Sequence, residues 1–359
     1  KMEALLERLK DVDLLAIDTE FQRETTYYPR LALVQIATDS IVACIDPLAF
    51  DAKTALQKLL LDKNITKIFH SCSQDMEVLF YYLGESPTNI YDTQIANALL
   101  SDHNQIGYAA LVENELGKQL DKSQTRTNWL QRPLTEKQIQ YAGDDVLYLY
   151  QLHRILDEKL EQLNRKDWFE EDCTRLFNNT SDYQVAIDKL WKRVKGTTRL
   201  DRQKLMLVQS IAIWREQLAQ QKDRTRRKIL SDDMVIELAL KTPTNNQELD
   251  QITGRRYNFN EPEQQALLDA IDTALQTPEQ QWPDNRYNGL DGQQKTLLKN
   301  LQQLVNKKAE QLNIASAAIC SKRDLEALIQ HQDKQTCELT LLQGWRLQNI
   351  GKQLLSALE

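Results

Sequence analysis

LLAIDTEF (residues 14–21), LALVQIAT (31–38) and IVACID (41–46) are three apolar runs near the start of the chain. Runs this short and this rich in branched aliphatic residues favour β-strands, because such side chains pack well on a pleated surface. Only Asp39 and Ser40 separate the last two runs, which is the length of a tight hairpin connection. The three runs therefore predict a β-meander.

Helical and strand patterns alternate after the meander. An amphipathic helix at about 51–62 leads to the strand TKIFH (66–70), the helix QDMEVLFYYLG (74–84) and the strand NIYD (89–92). The order β-β-β-α-β-α-β predicts a mixed sheet with helices packed on it. From Thr93 onward the periodicity is almost only helical.

The helical remainder is predicted to divide into two further domains. One long helix is predicted from about 135 to 163. Breaks are predicted near 173–185 and 278–292, where turn-forming residues cluster. The fold class is therefore α/β plus all-α. The predicted domains are one α/β domain followed by two small helical domains: 1–175, 200–280 and 285–359.

Composition excludes several classes of protein. The chain has 359 residues, and no apolar run approaches the roughly 20 residues of a membrane span. Its N-terminal KMEALLERLK lacks the apolar region of a signal peptide, so we expect a cytoplasmic protein without a membrane partner. Five cysteines form no CxxC pair and four histidines show no HxxxH spacing. Any bound metal is therefore expected to be held by carboxylates.

Charge is distributed unevenly along the chain. Residues 1–175 carry 19 Lys and Arg against 29 Asp and Glu, whereas residues 176–359 carry 26 against 23. Within the second part, residues 189–228 hold 13 basic and 3 acidic side chains. This segment is either a docking surface for a polyanion or a solvated, lysine-rich helix face.

Acidic residues stand at positions suited to binding a cation. Asp18 and Glu20 lie two apart on a predicted strand, so both carboxylates point to the same face. Asp75 falls in the first turn of a predicted helix, where Ser71 and Ser73 are plausible caps. The position of Asp75 is equally typical of ordinary helix capping.

A tyrosine and a further carboxylate share one face of the predicted long helix. Tyr141 and Asp145 are four residues apart, whereas Asp144 is rotated by about 100° from Asp145 and is the weaker candidate. Hydrolysis of a phosphodiester requires a hydroxide-like nucleophile and stabilisation of negative charge, and two divalent ions bound by oxygen ligands supply both. Tyrosine is better suited to orienting the attacking water than to removing its proton. The residue pattern alone leaves this as one hypothesis among others.

The sequence resembles a known family at these residues, the DEDD exonucleases with a tyrosine in the third motif, and within them the ribonuclease D family. The first motif is AIDTEFQRETTYYPRLALVQIAT (16–38), and the second is HSCSQDMEVLFYYLG (70–84) followed by IYDTQIA. The third motif is the run from Tyr141 to Asp145, within LDKSQTRTNWLQRPLTEKQIQYAGDDVLYL (120–149). The resemblance covers about residues 4–165.

This resemblance implies an RNase-H-like exonuclease fold with two bound Mg²⁺ or Mn²⁺ ions. It implies four metal ligands: Asp18, Glu20, Asp75 and Asp145. Tyr141 would position the nucleophilic water, and Glu20 would also contact the terminal 3′-hydroxyl, so that 5′-monophosphates are released one at a time. Candidate RNA contacts lie in the segments that flank the motifs: Tyr27, Tyr28, Arg30, Gln35, Lys122 and Trp129. Trp129 is equally well explained as a core residue.

The C-terminal part resembles HRDC domains, which are auxiliary nucleic-acid-binding domains of helicases and ribonuclease D. WREQLAQQKDRTRRKILSDDMVIELA (214–239) carries the first resemblance, although Thr225 replaces a proline that is common there. A weaker second copy at 285–359 is identified from CSKRDLEALI and from the GWR at 344–346. Trp214 and Leu230 are predicted to be core residues. The basic residues expected to contact RNA are Arg224, Arg226, Arg227 and Lys228.

The leading hypothesis is a metal-dependent 3′-to-5′ exoribonuclease that acts on structured RNA with a free 3′ end. The family analogy points to tRNA precursors in tRNA 3′ maturation, and no obligatory protein partner is evident. A DNA exonuclease of the same superfamily is the close alternative, because the residue for 2′-hydroxyl recognition cannot be identified. A non-catalytic RNA-binding protein would have lost a metal ligand, whereas all four carboxylates are present. The family usually has a strand before its first helix; the sequence begins at Lys1 without it, so we expect a truncated sheet edge.

Overall fold

A computed structural model describes residues 2–121, 127–177, 183, 186–283, 290–330 and 339–358, apart from the side chain of Arg255. The chain forms two compact units. The first unit comprises 1–21, 31–180 and 289–359, and the second comprises 22–30 and 181–288. The predicted division into domains at 1–175, 200–280 and 285–359 stays a prediction, because one compact unit can hold more than one domain.

A mixed five-stranded sheet lies in the N-terminal part of the chain, as the sequence predicts. Its strands are β1 (Leu14–Gln22), β2 (Arg30–Ala37), β3 (Val42–Ile45), β4 (Thr66–Phe69) and β5 (Ile90–Asp92), in the order β3-β2-β1-β4-β5. β2 and β3 are antiparallel, whereas β4 runs parallel to both β1 and β5. The predicted hairpin is confirmed, since the Thr38 backbone N–H donates to the Ile41 carbonyl at 2.8 Å.

The first eight helices belong to the unit that contains this sheet. They are α1 (Met2–Arg8), α2 (Lys53–Leu60), α3 (Ser73–Leu83), α4 (Thr93–Ala98), α5 (Tyr108–Leu116), α6 (Glu136–Leu147), α7 (Leu149–Gln162) and α8 (Lys166–Phe177). The predicted single helix over 135–163 is wrong, because it breaks at Tyr148. The Tyr108 hydroxyl donates to the Asp144 carbonyl at 3.1 Å and accepts from the Tyr148 N–H at 3.3 Å. It therefore occupies the place of one i→i+4 bond, which is a common cause of a helix break.

The second unit is a helical domain with its own core. Its helices are α9 (Arg202–Gln221), α10 (Arg226–Ile229), α11 (Asp232–Lys241), α12 (Asn246–Thr253) and α13 (Glu261–Gln276). Short 3₁₀ turns flank them at Ile187–Arg193, Thr197–Arg199, Gly254–Arg256 and Glu279–Gln281. Trp214 and Leu230 are buried in this core, as predicted. α9 buries residues on most of its circumference because α10, α11 and α13 all pack against it.

The C-terminal helices pack within the same unit as the sheet. They are α14 (Gly292–Leu312), α15 (Ser316–Ile319), α16 (Lys322–Gln330), α17 (Gly344–Arg346) and α18 (Lys352–Ser356), with a 3₁₀ turn at Thr340–Leu342 and a π-helical turn at Leu347–Gly351. The Trp345 ring stacks on Trp168 of α8 at 4.6 Å between centroids and 6° between planes. None of the described helices in either unit is long and apolar enough to cross a membrane.

Candidate functional site

Three carboxylates from two elements meet beside β1. Asp18 and Glu20 lie two apart on this strand, and Asp145 comes from α6. Each offers an oxygen, and these oxygens all lie within 4.8 Å of one another. Alternation along the strand places the first two on one face, and α6 brings Asp145 to that face. Asp144 points elsewhere, since its carboxylate accepts from the Gln140 side chain at 2.9 Å.

Asp75 lies close to this group but is not one of the three residues whose oxygens converge within 4.8 Å. Asp75 is 8% exposed, in the first turn of α3, and its carboxylate accepts a hydrogen bond of 2.5 Å from the Thr19 hydroxyl. Thr19 stands between Asp18 and Glu20 on β1, so one strand both contributes two carboxylates and holds a third. The charge of Asp75 is the largest electrostatic contribution to the raised pKa of Asp18.

The start of α3 is held by an aspartate that the sequence analysis did not identify. Ser71 and Ser73 were plausible caps, but Cys72 occupies the N-cap position and no side chain caps the helix there. Instead the Asp92 carboxylate accepts from the backbone N–H groups of Ser71 and Cys72 at 3.0 and 2.9 Å. It also caps α4 through the N–H of Gln94. An aspartate directly between a strand and a helix is a typical N-cap, which is the signal that could have found it.

Burial and neighbouring negative charge both perturb the pKa values of the carboxylate group. Burial is the main cause that raises the pKa of Asp18 well above its usual value, and the neighbouring carboxylates raise it further. Burial together with nearby negative charge raises the pKa of Glu20 to about 9. Burial also raises the pKa values of Asp75 and Asp145 to about 7. Like charges in a desolvated site have this effect, and bound cations reverse it.

Tyr141 and Trp129 lie against the carboxylate group. The Tyr141 side chain hydrogen-bonds to the Asp145 carboxylate, which lowers the pKa of Asp145 and partly offsets the effect of burial. The Trp129 ring lies 6.1 Å from that of Tyr141, in a small buried cluster with Leu33 and Ala142. The indole N–H lowers the pKa of Glu20, although it makes no well-formed hydrogen bond to any described residue.

The predicted RNA contacts in the motif-flanking segments have different surroundings. Gln35 is fully buried, and neither of its amide atoms has a hydrogen-bond partner within the described part of the chain. Trp129 is 5% exposed. Its neighbours are the core residues of its cluster and Glu20. Arg30 is exposed and Tyr28 is half-buried. Lys122 lies outside the described residues, and for all of these residues contact with RNA stays a prediction.

The basic residues after α9 also divide into two kinds. Arg224, Arg227 and Lys228 are exposed. Arg226 is instead engaged inside the second unit: its guanidinium binds the Glu216 carboxylate and lies 5.1 Å from the Tyr27 ring centroid. Arg224, Arg227 and Lys228 are therefore better placed to meet a polyanion than Arg226, whose guanidinium is already bound to a carboxylate.

The donor set fits divalent cations. It consists of carboxylate oxygens, which are the ligands that Mg²⁺ and similar hard cations prefer. Two such ions would bring about four positive charges to four carboxylates whose pKa values burial raises. Arg132, Lys159 and Lys166 of the same unit form their ion pairs with other carboxylates, those of Asp46, Glu115 and Asp157.

Family models match both parts of the chain. A model described as a 3′–5′ exonuclease matches residues 1–161, and an HRDC domain model matches residues 204–271. With the mixed sheet and its carboxylate group, these matches define a 3′–5′ exonuclease of the DEDD class, whose members use divalent metals.

Close relatives give the family. Ribonuclease D of Desulfotalea psychrophila is 36% identical over 96% of this chain and 93% of the relative, and that of Pseudomonas paraeruginosa is 34% identical over 96% and 92%. The crystal structure of Escherichia coli RNase D, described as an exoribonuclease involved in structured RNA processing, superposes with a TM-score of 0.85 at 28% identity, over 99% of this chain and 96% of that one. The chain belongs to the ribonuclease D family and is a 3′–5′ exoribonuclease.

Proposed function

We propose that this exoribonuclease trims the 3′ ends of tRNA precursors in the cytoplasm by a two-metal mechanism centred on β1 and α6. The observation that carries the mechanism is the meeting of carboxylate oxygens from Asp18, Glu20 and Asp145 within 4.8 Å, with Asp75 beside them. The relative from Escherichia coli acts in structured RNA processing, which supports a structured RNA as the substrate.

The proposed metal ligands are Asp18, Glu20, Asp75 and Asp145, and the proposed ions are Mg²⁺ or Mn²⁺. When bound, the cations supply a nucleophilic water of lowered pKa and offset the negative charge that develops on the phosphate. Thr19 keeps the Asp75 carboxylate in place through its hydroxyl. The Asp92 carboxylate likewise fixes the backbone that leads into α3, by accepting from the N–H groups of Ser71 and Cys72. Ligand geometry is therefore set by residues that do not themselves bind metal.

Tyr141 is proposed to orient the attacking water. Its phenol lies on the α6 face that carries Asp145 and is supported by the Trp129 ring. A phenol both donates and accepts hydrogen bonds, so it can orient the water without removing its proton. The water adds to phosphorus, the bond from phosphorus to the 3′ oxygen breaks, and that oxygen leaves with a proton.

Glu20 is proposed to set the direction of cleavage. A carboxylate that accepts a hydrogen bond from a terminal 3′-hydroxyl distinguishes an end from an internal nucleotide. Holding that hydroxyl places the last phosphodiester at the reacting position, and each turnover then releases one nucleoside 5′-monophosphate. The position of Glu20 two residues after Asp18 on the same strand supports this assignment.

Neighbouring aspartates on α6 provide the matched test. We expect Asp145→Asn to lower cleavage at least about 10³-fold, because a ligand charge is lost where charge stabilisation supplies several kcal/mol. Asp144→Asn removes the same charge one residue away, outside the carboxylate group, and should retain near-normal turnover. The measurement is a time course on a 5′-labelled tRNA precursor in Mg²⁺ or Mn²⁺, and after chelation. Comparable activity of the two variants would refute the proposed site.

The same time course separates the remaining alternatives. A 3′-labelled RNA should release label at once as a mononucleotide, whereas a 5′-labelled RNA should shorten gradually. Matched DNA tests the alternative of a DNA exonuclease, which predicts equal or faster degradation of DNA. Precursors with a mature and an extended 3′ end test the substrate: trimming that continues at the same rate through the mature end would contradict a maturation role.

A further inference from the structure

The end of α6 is closed by a side chain from another helix. Asp145 lies two residues before Leu147, the last residue of α6, and Tyr148 is the C-cap. In a regular α-helix the Asp144 carbonyl would accept from the Tyr148 N–H. Here the Tyr108 hydroxyl stands between them, because it donates to the Asp144 carbonyl at 3.1 Å and accepts from the Tyr148 N–H at 3.3 Å. The turn that carries Asp145 therefore depends on a residue of α5.

Tyr108 is itself held by residues next to β4 and on α4. It is the first residue of α5, and its ring lies 5.7 Å from that of His70, which directly follows β4. His70 Nε2 lies 3.0 Å from the Ile106 carbonyl, and the same carbonyl accepts from Gln94 Nε2 at 2.8 Å. These contacts fix the backbone two residues before Tyr108. All of these residues, like the carboxylate group, belong to the first compact unit.

The Tyr108 phenol is close enough to the carboxylate group to respond to its charge. Burial is the main cause that raises the pKa of Tyr108, and the negative charges of Asp145 and Asp18 raise it further. A phenol with a raised pKa keeps its proton at neutral pH, so it can donate to a carbonyl. Its hydrogen bonds to Asp144 and Tyr148 both go to backbone atoms. The hydroxyl therefore acts on the course of the helix and not on a carboxylate.

We propose that Tyr108 is a positioning residue for Asp145: by bridging the backbone on either side of Asp145, its hydroxyl fixes the turn of α6 from which this carboxylate reaches the candidate metal site. This inference rests on the proposed role of Asp145 as a metal ligand. The other two converging carboxylates, those of Asp18 and Glu20, are held by β1. The site is thus assembled from a strand and a helix turn, and Tyr108 sets the geometry of the turn.

Loss of the hydroxyl leaves two backbone groups without their partner. The Asp144 carbonyl and the Tyr148 N–H then either bond each other directly, which tightens the turn, or lose this interaction. In both cases the Asp145 oxygen moves relative to the oxygens on β1, which lie within 4.8 Å of it. Residues that orient a metal ligand typically contribute about 10–100-fold to metal affinity.

The test measures metal binding directly, by isothermal titration calorimetry of the whole chain with Mn²⁺ and without RNA. Tyr108→Phe removes the hydroxyl but keeps the ring against His70, and it should weaken Mn²⁺ binding about 10-fold. On an unstructured, 5′-labelled RNA, the Mn²⁺ concentration for half-maximal cleavage should rise by a similar factor, with KM for RNA changed less than about twofold. A change in KM alone would assign the hydroxyl to substrate binding and overturn the inference.

Tyr82→Phe is the matched control in the same unit. The Tyr82 hydroxyl hydrogen-bonds to the backbone of Ala52, the N-cap of α2, so this variant also removes a bond between a phenol and a helix end. Both variants should lower the melting temperature, whereas Tyr82→Phe should keep the Mn²⁺ affinity of the parent chain. An equal loss of Mn²⁺ affinity in both variants would show an effect of stability alone and would contradict the role of Tyr108.

A double variant tests whether Tyr108 acts through Asp145. Asp145→Asn should weaken Mn²⁺ binding at least about 10-fold, because it removes a ligand charge. Adding Tyr108→Phe to Asp145→Asn should weaken binding by less than about a further twofold, since the positioned carboxylate is already lost. Fully additive losses would mean that the hydroxyl acts elsewhere, and the inference would fail.

These measurements distinguish a failure of this inference from a failure of the proposed function. If Asp145→Asn binds Mn²⁺ as tightly as the parent chain, the proposed ligand set is wrong and the inference is wrong with it. If Asp145→Asn loses affinity but Tyr108→Phe does not, the ligand set stands and only the role of Tyr108 is refuted. Neither result depends on whether tRNA precursors are the substrate.

Discussion

The two C-terminal helical regions share a local design but use it differently. In each, a long helix, α9 or α14, is followed by a four-residue helix, α10 or α15. Each short helix ends at a residue of extended backbone, Leu230 or Cys320. A serine follows, and the hydroxyl of Ser231 or Ser321 caps the next helix. The two regions therefore share the same local order of features.

The regions differ in what their buried arginines bind. Arg215 of α9 bonds the Leu230 carbonyl at 3.0 Å and Asp232 at 2.8 Å, so its contacts stay inside the second unit. Arg346 of α17 bonds the Ile319 carbonyl at 2.8 Å and also both oxygens of Asp172, which lies on α8.

The consequence of this difference concerns stability. The buried arginine of the first region binds within that region's own core, whereas the buried arginine of the second region binds α8, a helix of the unit that contains the nuclease site. The two helical regions thus differ in whether their buried arginine binds within the region or to a helix outside it.

Removing the second arginine should have the largest effect on this comparison. Arg346→Ala is expected to lower the free energy of unfolding by about 3–5 kcal/mol, because the buried Asp172 loses both of its bonds to Arg346 and keeps only the contact of 3.3 Å with the more exposed Arg175. Arg215→Ala should cost less, about 1–3 kcal/mol, since the Asp232 side chain is 19% exposed and can be hydrated, against 6% for Asp172. Chemical denaturation of both variants measures the loss in free energy of unfolding. Equal losses would contradict the expectation that stability depends more on Arg346 than on Arg215.

Two glycines extend the comparison to the backbone. Gly344 has a φ of 46°, and a Cβ there would overlap the Glu171 carboxylate, which accepts from the Trp345 N–H at 2.9 Å. Gly344→Ala should therefore cost about 2–3 kcal/mol, from backbone strain and from the displaced hydrogen bond.

Gly196 of the second unit is the reference for backbone strain alone. Its φ is 90°, and the nearest atom to a Cβ there is a side-chain carbon of Ile236 at 3.9 Å, an ordinary contact distance. Gly196→Ala should cost about 1–2 kcal/mol. A thermal unfolding series would contradict the role of Glu171 if Gly344→Ala were no more destabilised than Gly196→Ala.

Local patterns predicted the sheet and the residues of the candidate site. Alternation along a strand is a property of neighbouring residues, and it places Asp18 and Glu20 on one face whatever the rest of the chain does. Helical spacing likewise relates Tyr141 to Asp145. The resemblance to the ribonuclease D family then supplied the metals, which no spacing rule could provide.

Long-range contacts account for what the sequence did not predict. The break at Tyr148 depends on the hydroxyl of Tyr108, which lies 40 residues earlier in the chain. The hydrogen bond between Tyr27 and Glu216 joins residues 189 apart. A single sequence carries no local trace of such pairs, so the protein partners of Tyr27 could not be predicted, and its candidate contact with RNA stays a prediction.

The smallest expected effect concerns RNA affinity and separates the two regions by function. Arg224, Arg227 and Lys228 are exposed in the second unit, whereas Lys295, Lys299 and Lys307 are exposed on α14. If the first set contacts phosphates, replacing all three with Gln should weaken binding of single-stranded RNA about tenfold. The slope of log K against log salt should become shallower by about 2, because binding releases fewer counterions when three phosphate contacts are lost.

The same triple replacement on α14 is the matched control, since it changes net charge by the same amount. A long-range electrostatic effect that depends on net charge alone would weaken RNA binding equally in both triple variants. Direct contact predicts that only the first triple variant changes the slope. Binding measured from low to moderate salt therefore decides whether the helical second unit holds the RNA, or whether its basic side chains form only a solvated surface.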